Sequence, residues 1–263
     1  MAPRAVIFDL GGTIVDKYSL SPLRSLSHAF KYHRIPMSDT HINRYMGLDK
    51  RTHIRHLICD LHEDPTRPEV EYVSGPHTEG TIDAIYSAFR IRQHVNLTNY
   101  SQPLPGFSYI YEHLRSNDIP LGITTGYSHE EADTIVKSLH YDKGYTFDSV
   151  VSSSDVTQGR PHPDMIFQNL RNLGIDEKDS SDVIKVDDSI YGIEEGLNAG
   201  CTSVGVVRFS TMMNIFRPDG DDYLTPSEIY QKMYDTRVLM KKAGAHFVID
   251  DLTELKEHLP SST

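Results

Sequence analysis

MAPRAVIFDLGGTIVD, residues 1–16, contains an apolar run from Ala5 to Phe8 that delivers Asp9 into a Gly11-Gly12-Thr13 turn. Consecutive apolar residues ahead of a carboxylate and glycines read as a strand buried on both faces, the kind found in parallel sheets. An aspartate at the carboxyl end of such a strand lies where open α/β folds bind ligands, and a carboxylate there can act as a nucleophile.

Similar short runs recur at Ala5–Leu10, Leu121–Thr125, Ser149–Ser152, Val183–Val186, Ser203–Val207 and His246–Ile249, with helical stretches between them. This alternation predicts βαβ units in an α/β fold: a Rossmann-like parallel sheet with helices on both faces. Residues 17–98 break the rhythm. Helical stripes at Leu20, Leu23, Leu26 and Phe30, and again at Ile82, Ile85, Tyr86 and Phe89, have no strand-like run beside them. We therefore expect a core of residues 1–16 and 99–263 and an inserted helical cap of residues 17–98. Pro65, Pro68, Gly75 and Pro76 mark loops inside the cap, and Gln102–Gly106 returns the chain to the core. Thr225-Pro226-Ser227-Glu228 combines an N-cap, a first-turn proline and a glutamate at the third helical position, so a helix should run from there toward Lys242.

A length of 263 residues allows a large core with an insert. The formal net charge of −11 argues against nucleic acid or an acidic membrane as partner and favours small molecules. Two distant cysteines, Cys59 and Cys201, and the absence of a leader-like start suggest a reducing, cytoplasmic setting. No apolar run approaches the roughly 20 residues needed to cross a bilayer.

Four further segments carry candidate chemistry. Leu121 to Gly126 ends a strand in hydroxyls and a glycine, suited to phosphoryl oxygens through Thr125 and nearby N–H groups, or simply to a turn. Arg160, in Gly159-Arg160-Pro161-His162-Pro163, offers a permanent charge with forked donors between two strands. Asp187 and Asp188 end another buried strand, so they either join Asp9 in a hard-oxygen site suited to Mg²⁺ or cap the following helix. In Met46 to His53, Lys50 and His53 stand at i and i+3 and can share one side of a helix. A desolvated lysine amine can attack an aldehyde and form an iminium, an electron sink that lets a carbon leave without a carboxylic acid to protonate it. Asp49 should face away from Lys50, because adjacent helical residues point about 100° apart. His53, His56, Cys59 and His62 recur every three residues and drift by about 60° per step, which spreads them too widely for one tetrahedral zinc site.

Taken together, these motifs resemble those of the haloacid dehalogenase-like (HAD) superfamily. FDLGGTIVD, MGLDKRTHIRHL, TTGYS, GRPHPDM, IKVDDS with EEGLNAG, and KAGAHFVIDDL, spread along nearly the whole chain, resemble its phosphonatase family, the phosphonoacetaldehyde hydrolases. Most HAD phosphatases carry a second aspartate two residues after the first, and here that position is Gly11. The resemblance implies Asp9 as nucleophile, Lys50 as Schiff-base former and His53 as proton shuttle. It also implies Thr125 and Arg160 on the phosphoryl group, with Met46, Gly11, Gly12, Gly126 and Tyr127 around the substrate. Mg²⁺ would rest on Asp9, the Gly11 carbonyl and Asp188, with Asp187 a substitute for the acid that the family places where this chain has Gly192. The implied reaction cleaves the carbon–phosphorus bond of phosphonoacetaldehyde to acetaldehyde and phosphate, in a homodimer joined through the caps. Two alternatives stay open: a HAD hydrolase acting on another phosphonate, a phosphate ester or a halide, and a non-catalytic phosphonate-binding protein.

Overall fold

Ala5–Phe8 forms β1, with every residue buried. It lies inside a six-stranded sheet whose other strands are β2 (Leu121–Thr125), β3 (Ser149–Ser152), β4 (Val183–Asp187), β5 (Thr202–Val206) and β6 (Phe247–Ile249). This computed structural model describes residues 2–35, 37–63 and 78–259. The strand order is β3-β2-β1-β4-β5-β6 and every pairing is parallel. Phe8 stands opposite Ile123 on one side and Val186 on the other, so β1, β2 and β4 end level with one another. The strand order reverses between β1 and β4, which opens a crevice at their carboxyl ends.

Alternate residues of β1 serve opposite faces, as the pleat requires. Val6 and Phe8 pack under α5 (Phe107–Ser116) and α6 (His129–Lys143), in a cluster with Ile110, Leu114, Ile135 and Leu139. Ala5 and Ile7 pack against Ile166 and Leu170 of α7 (Asp164–Asn172). On the far side of the crevice, α8 (Ile190–Asn198) follows β4.

Between β1 and β2 the chain forms α1 (Leu20–Tyr32), α2 (Asp39–Asn43), α3 (Lys50–Glu63) and α4 (Thr78–Leu97). These helices bury an apolar cluster of their own: Leu23, Leu26 and Phe30 meet Ile54, Leu57, Ile82, Ile85 and Phe89. Phe209, Met213 and Ile215, from the loop after β5, join that cluster and tie it to the sheet. The loop residues Pro65, Pro68, Gly75 and Pro76 lie outside the described residues. Among the described residues no helix is long and apolar enough to cross a membrane.

Several boundaries differ from the sequence reading. β1 stops at Phe8 rather than Leu10, because the Leu10 carbonyl accepts the N–H groups of both Ile14 and Val15 and turns the chain out of the sheet. β4 runs one residue further, to Asp187, while β5 begins a residue earlier, at Thr202. After α9 (Gly220–Tyr223), α10 runs from Pro226 to Lys242, with Thr225 and Glu228 capping each other's backbone N–H groups.

Leu26 is fully buried where α1 meets α4. Leu26→Ala should therefore lower stability by about 2–5 kcal/mol in urea unfolding.

Candidate active site

Asp9 follows β1, and its N–H donates to the Val186 carbonyl at 3.0 Å, which fixes it beside the end of β4. Two residues beyond Phe8's partner Val186 stands Asp188, whose Oδ2 accepts the Thr211 N–H at 2.7 Å. Gly12, with φ +82°, lets the two loops meet: a Cβ on it would lie 2.3 Å from Asp188 Oδ2. The carboxylates of Asp9, Asp187 and Asp188 thus converge, with one oxygen from each lying within 4.8 Å of the others. It is the one candidate metal-binding group among the described residues.

Two buried cations hold this cluster. Arg160 Nη2 donates to Asp9 Oδ1 at 2.8 Å and to the Thr124 carbonyl at 3.0 Å, and lies 3.2 Å from Asp187 Oδ2. Its Nε donates to Glu195 Oε2 at 3.0 Å. Lys185 Nζ lies 2.9 Å from Asp187 Oδ2 and donates to Thr124 Oγ1 at 2.6 Å. Two cations therefore face four buried carboxylates: Asp9, Asp187, Asp188 and Glu195. Carboxylates crowded in a desolvated crevice are a ready seat for a divalent cation, and the hard oxygen donors suit Mg²⁺.

Proton affinities follow from this crowding. Burial, and then the neighbouring Asp187, push Asp9 up to about 6 against the pull of Arg160 and Lys185. Burial, with Asp9 and Asp187 beside it, drives Asp188 well above the usual carboxylate range. Burial acts upward on Asp187 too, but Arg160 and Lys185 outweigh it and hold that carboxyl below its ordinary value.

The helical segment supplies the opposite wall. Asp49 caps α3, its Oδ1 accepting the Thr52 N–H at 3.0 Å, as an N-cap aspartate does. Lys50, the first residue of α3, is buried and donates from Nζ to the Leu48 carbonyl at 2.9 Å. Burial brings its ammonium down to about 8, against the pull of Glu131, Asp49 and Asp9. The positive end of the helix dipole disfavours a cation at the same place. His53 lies behind it, its Nε2 2.7 Å from the Ile42 carbonyl and its Nδ1 without a hydrogen-bond partner. Burial, and then Lys50, push His53 well below the ordinary histidine value, so the ring is neutral, with Nε2–H donating to that carbonyl.

Glycines set how closely the walls approach. A Cβ on Gly126 would lie 2.8 Å from the carbonyl oxygens of Gly47 and Leu48, so only glycine lets the loop before α3 reach the end of β2. A Cβ on Gly11 would lie 3.1 Å from the Tyr127 hydroxyl. That hydroxyl donates to Asp16 Oδ2 at 3.1 Å, and burial pushes Asp16 up to about 7.

One small cavity gathers most of the candidates read from the sequence. Asp9, Gly11, Thr125, Gly126, Tyr127, Arg160 and Asp188 line it from the sheet side, and Met46 and Lys50 from the helical side. Gly12, His53 and Asp187 sit behind the lining. Sequence reasoning passed over Ser19, Pro22, Gly47 and Thr211 in the wall, and Lys185 and Glu195 beneath it. Lys185 had a signal: a charged residue between Ile184 and Val186, inside a strand buried on both faces, requires a buried partner. Ser189, rather than Asp187 or Asp188, caps α8, accepting the Gly192 N–H.

Residues 6–206 match the haloacid dehalogenase-like hydrolase family. The chain belongs to that family. It is 35% identical over 252 residues to phosphonoacetaldehyde hydrolase of Paraburkholderia phytofirmans, covering 96% of this chain and 92% of the relative. It is 33% identical to the Bacillus cereus enzyme of the same name, over 97% and 95% of the two chains. A crystal structure of a phosphonoacetaldehyde hydrolase-like protein from Oleispira antarctica superposes with a TM-score of 0.89 at 29% identity, covering 98% of this chain and 91% of that one. The family is one of hydrolases, and the chain is an enzyme of that class.

Two outcomes are expected from this geometry. Lys185→Ala leaves Asp187 and Glu195 without a buried partner and should cost about 3–5 kcal/mol in denaturant unfolding. An amine-directed acylating reagent should modify Lys50 with a rate that rises with pH through a midpoint near 8, because only the neutral amine reacts.

Proposed function

We propose that this enzyme hydrolyses the carbon–phosphorus bond of phosphonoacetaldehyde, releasing acetaldehyde and inorganic phosphate. The observation that carries this reading is the presence, in one cavity, of a desolvated lysine and a strand-end aspartate, with no acid at position 11. An ester hydrolase must protonate an alkoxide, whereas an iminium takes up the electron pair of the breaking bond without an acid.

In the proposed mechanism the neutral amine of Lys50 adds to the substrate aldehyde, and the carbinolamine loses water to leave an iminium. Burial, which keeps the ammonium near 8, supplies the amine in quantity near neutral pH. Asp9 then attacks phosphorus as the carbon–phosphorus pair moves into the iminium, giving an enamine on Lys50 and a phosphoryl group on Asp9. Water releases phosphate from Asp9, and protonation and hydrolysis of the enamine release acetaldehyde and restore Lys50. Arg160 and Thr125 hold the phosphoryl oxygens, while Gly11, Gly12, Gly126 and Tyr127 shape the floor and Met46 packs from above. His53, with Nδ1 unpaired in a neutral ring, is the base that accepts protons from the lysine side.

Asp9, Asp188 and the Gly11 carbonyl would hold Mg²⁺, which when bound supplies charge neutralisation for the approach of an anionic phosphonate to a carboxylate. The helical segment 17–98 acts in this reading as a cap over the core. The protein would work as a cytoplasmic homodimer joined through that cap, where Ile91 and Val95 are exposed one turn apart on α4.

The test compares wild type, Lys50→Ala and Asp9→Ala with phosphonoacetaldehyde and Mg²⁺, following both products. Activity should fall by about 10³-fold or more in each variant. Borohydride added during turnover should attach a two-carbon adduct to Lys50. A wild type that releases no acetaldehyde and yet hydrolyses phosphate esters would overturn the assignment.

A further inference from the structure

Gly192 is the third residue of α8, with an ordinary helical backbone. No positive φ explains it, and glycine is a poor helix former, so the reason lies in space. A Cβ built there would fall 1.9 Å from Asp187 Oδ2, 2.0 Å from Cγ and 2.2 Å from Oδ1. The whole Asp187 carboxyl group stands over the Gly192 α-carbon. It is held there from two sides: Ser189 donates to Oδ1 through N–H at 2.9 Å and Oγ at 2.8 Å, while Lys185 and Arg160 face Oδ2. Gly12 shows the same device on the other side of the crevice, where a missing Cβ admits the Asp188 carboxylate.

We propose that Asp187 and Gly192 form one unit: position 192 carries no side chain so that the Asp187 carboxylate can occupy its space, pair with Arg160 and Lys185, and keep their charge from opposing a cation at the Asp9–Asp188 end. Asp187 is then a positioning residue. Its Oδ1 accepts from Ser189 and its Oδ2 lies at ion-pair distance from Lys185 and Arg160, so it acts on the site by compensating those two cations and through its own charge. Any side chain at 192 competes with Asp187 for the same volume, whereas a carboxylate attached at 192 replaces it. The cation half of this inference rests on the function proposed above, but the steric half does not.

The test uses the intact protein and MgCl₂ alone, without substrate. Gly192→Ala should lower the melting temperature by about 2–4 °C or more, although helix propensity by itself predicts the opposite sign. In an Asp187→Gly background the same alanine should be neutral or stabilising. Calorimetric titration should show Mg²⁺ affinity weakened about tenfold or more in Asp187→Gly. The exchange variant Asp187→Gly/Gly192→Asp should regain affinity to within about threefold of wild type. A melting temperature raised by Gly192→Ala in the native chain overturns the proposal, as does an exchange variant that binds Mg²⁺ no better than Asp187→Gly. Neither readout depends on carbon–phosphorus cleavage, so a failure of the proposed reaction and a failure of this inference are seen separately.

Discussion

Everything in the crevice depends on how four carboxylates can be buried around the two cations at its base, Arg160 and Lys185. Moving an ionised carboxylate out of water is costly unless its partners are already in place, and here the partners are carried on rigid elements. Lys185 comes from within β4, Glu195 from α8, and Arg160 from the loop ahead of α7, so each charge is fixed by an element whose own apolar residues are packed. Arg160 and Lys185 meet Asp187 and Glu195 at the base, while Asp9 and Asp188 stand at the cavity with raised proton affinities. Arg160 cannot leave the base without uncovering Asp187 and Glu195.

The second constraint is the approach of the helical segment. Gly126 and Gly47 bring two backbones together closely enough to exclude side chains, and this contact buries Lys50. The depressed lysine and the narrow cavity therefore have one cause. If the helical segment moved away, Lys50 would regain water and its ordinary proton affinity, so in the proposed reaction the amine would be reactive only where Asp9 can reach the same substrate. The apolar cluster of that segment, shared with Phe209 and Met213, resists such separation.

The sheet was legible in the sequence because parallel strands buried on both faces are short uninterrupted apolar runs, and all six runs lie on or within two residues of the observed strands. Errors fell at strand ends, where hydrogen bonding decides: Leu10 is as apolar as Phe8, yet its carbonyl already serves a turn. Nine of the candidate residues line one cavity, since strand ends and motif glycines lie close to the catalytic edge by topology alone. The base of the site was not legible. Lys185 and Glu195 lie ten positions apart in segments that otherwise read as strand and helix, and nothing local pairs them. Ser19 and Thr211 enter through loops that no periodicity describes.

Gly11 and Gly192 stand where two family motifs carry acids, Gly12 belongs to the first of those motifs, and sequence alone leaves open whether the two absent acids mean a lost site. Their surroundings separate them. Gly12 has a left-handed backbone and admits Asp188; Gly192 has a helical backbone and admits Asp187; Gly11 leaves room for a tyrosine hydroxyl held by Asp16. Beside each of the three glycines stands a polar group from another element. Erosion would leave voids or unpaired charge, and a void costs stability in proportion to its volume. The three glycines leave no such void, and at Gly192 the Asp187 carboxyl fills the space of the absent side chain. Such a site can lose the residue that a motif demands and still present the charge that the chemistry requires.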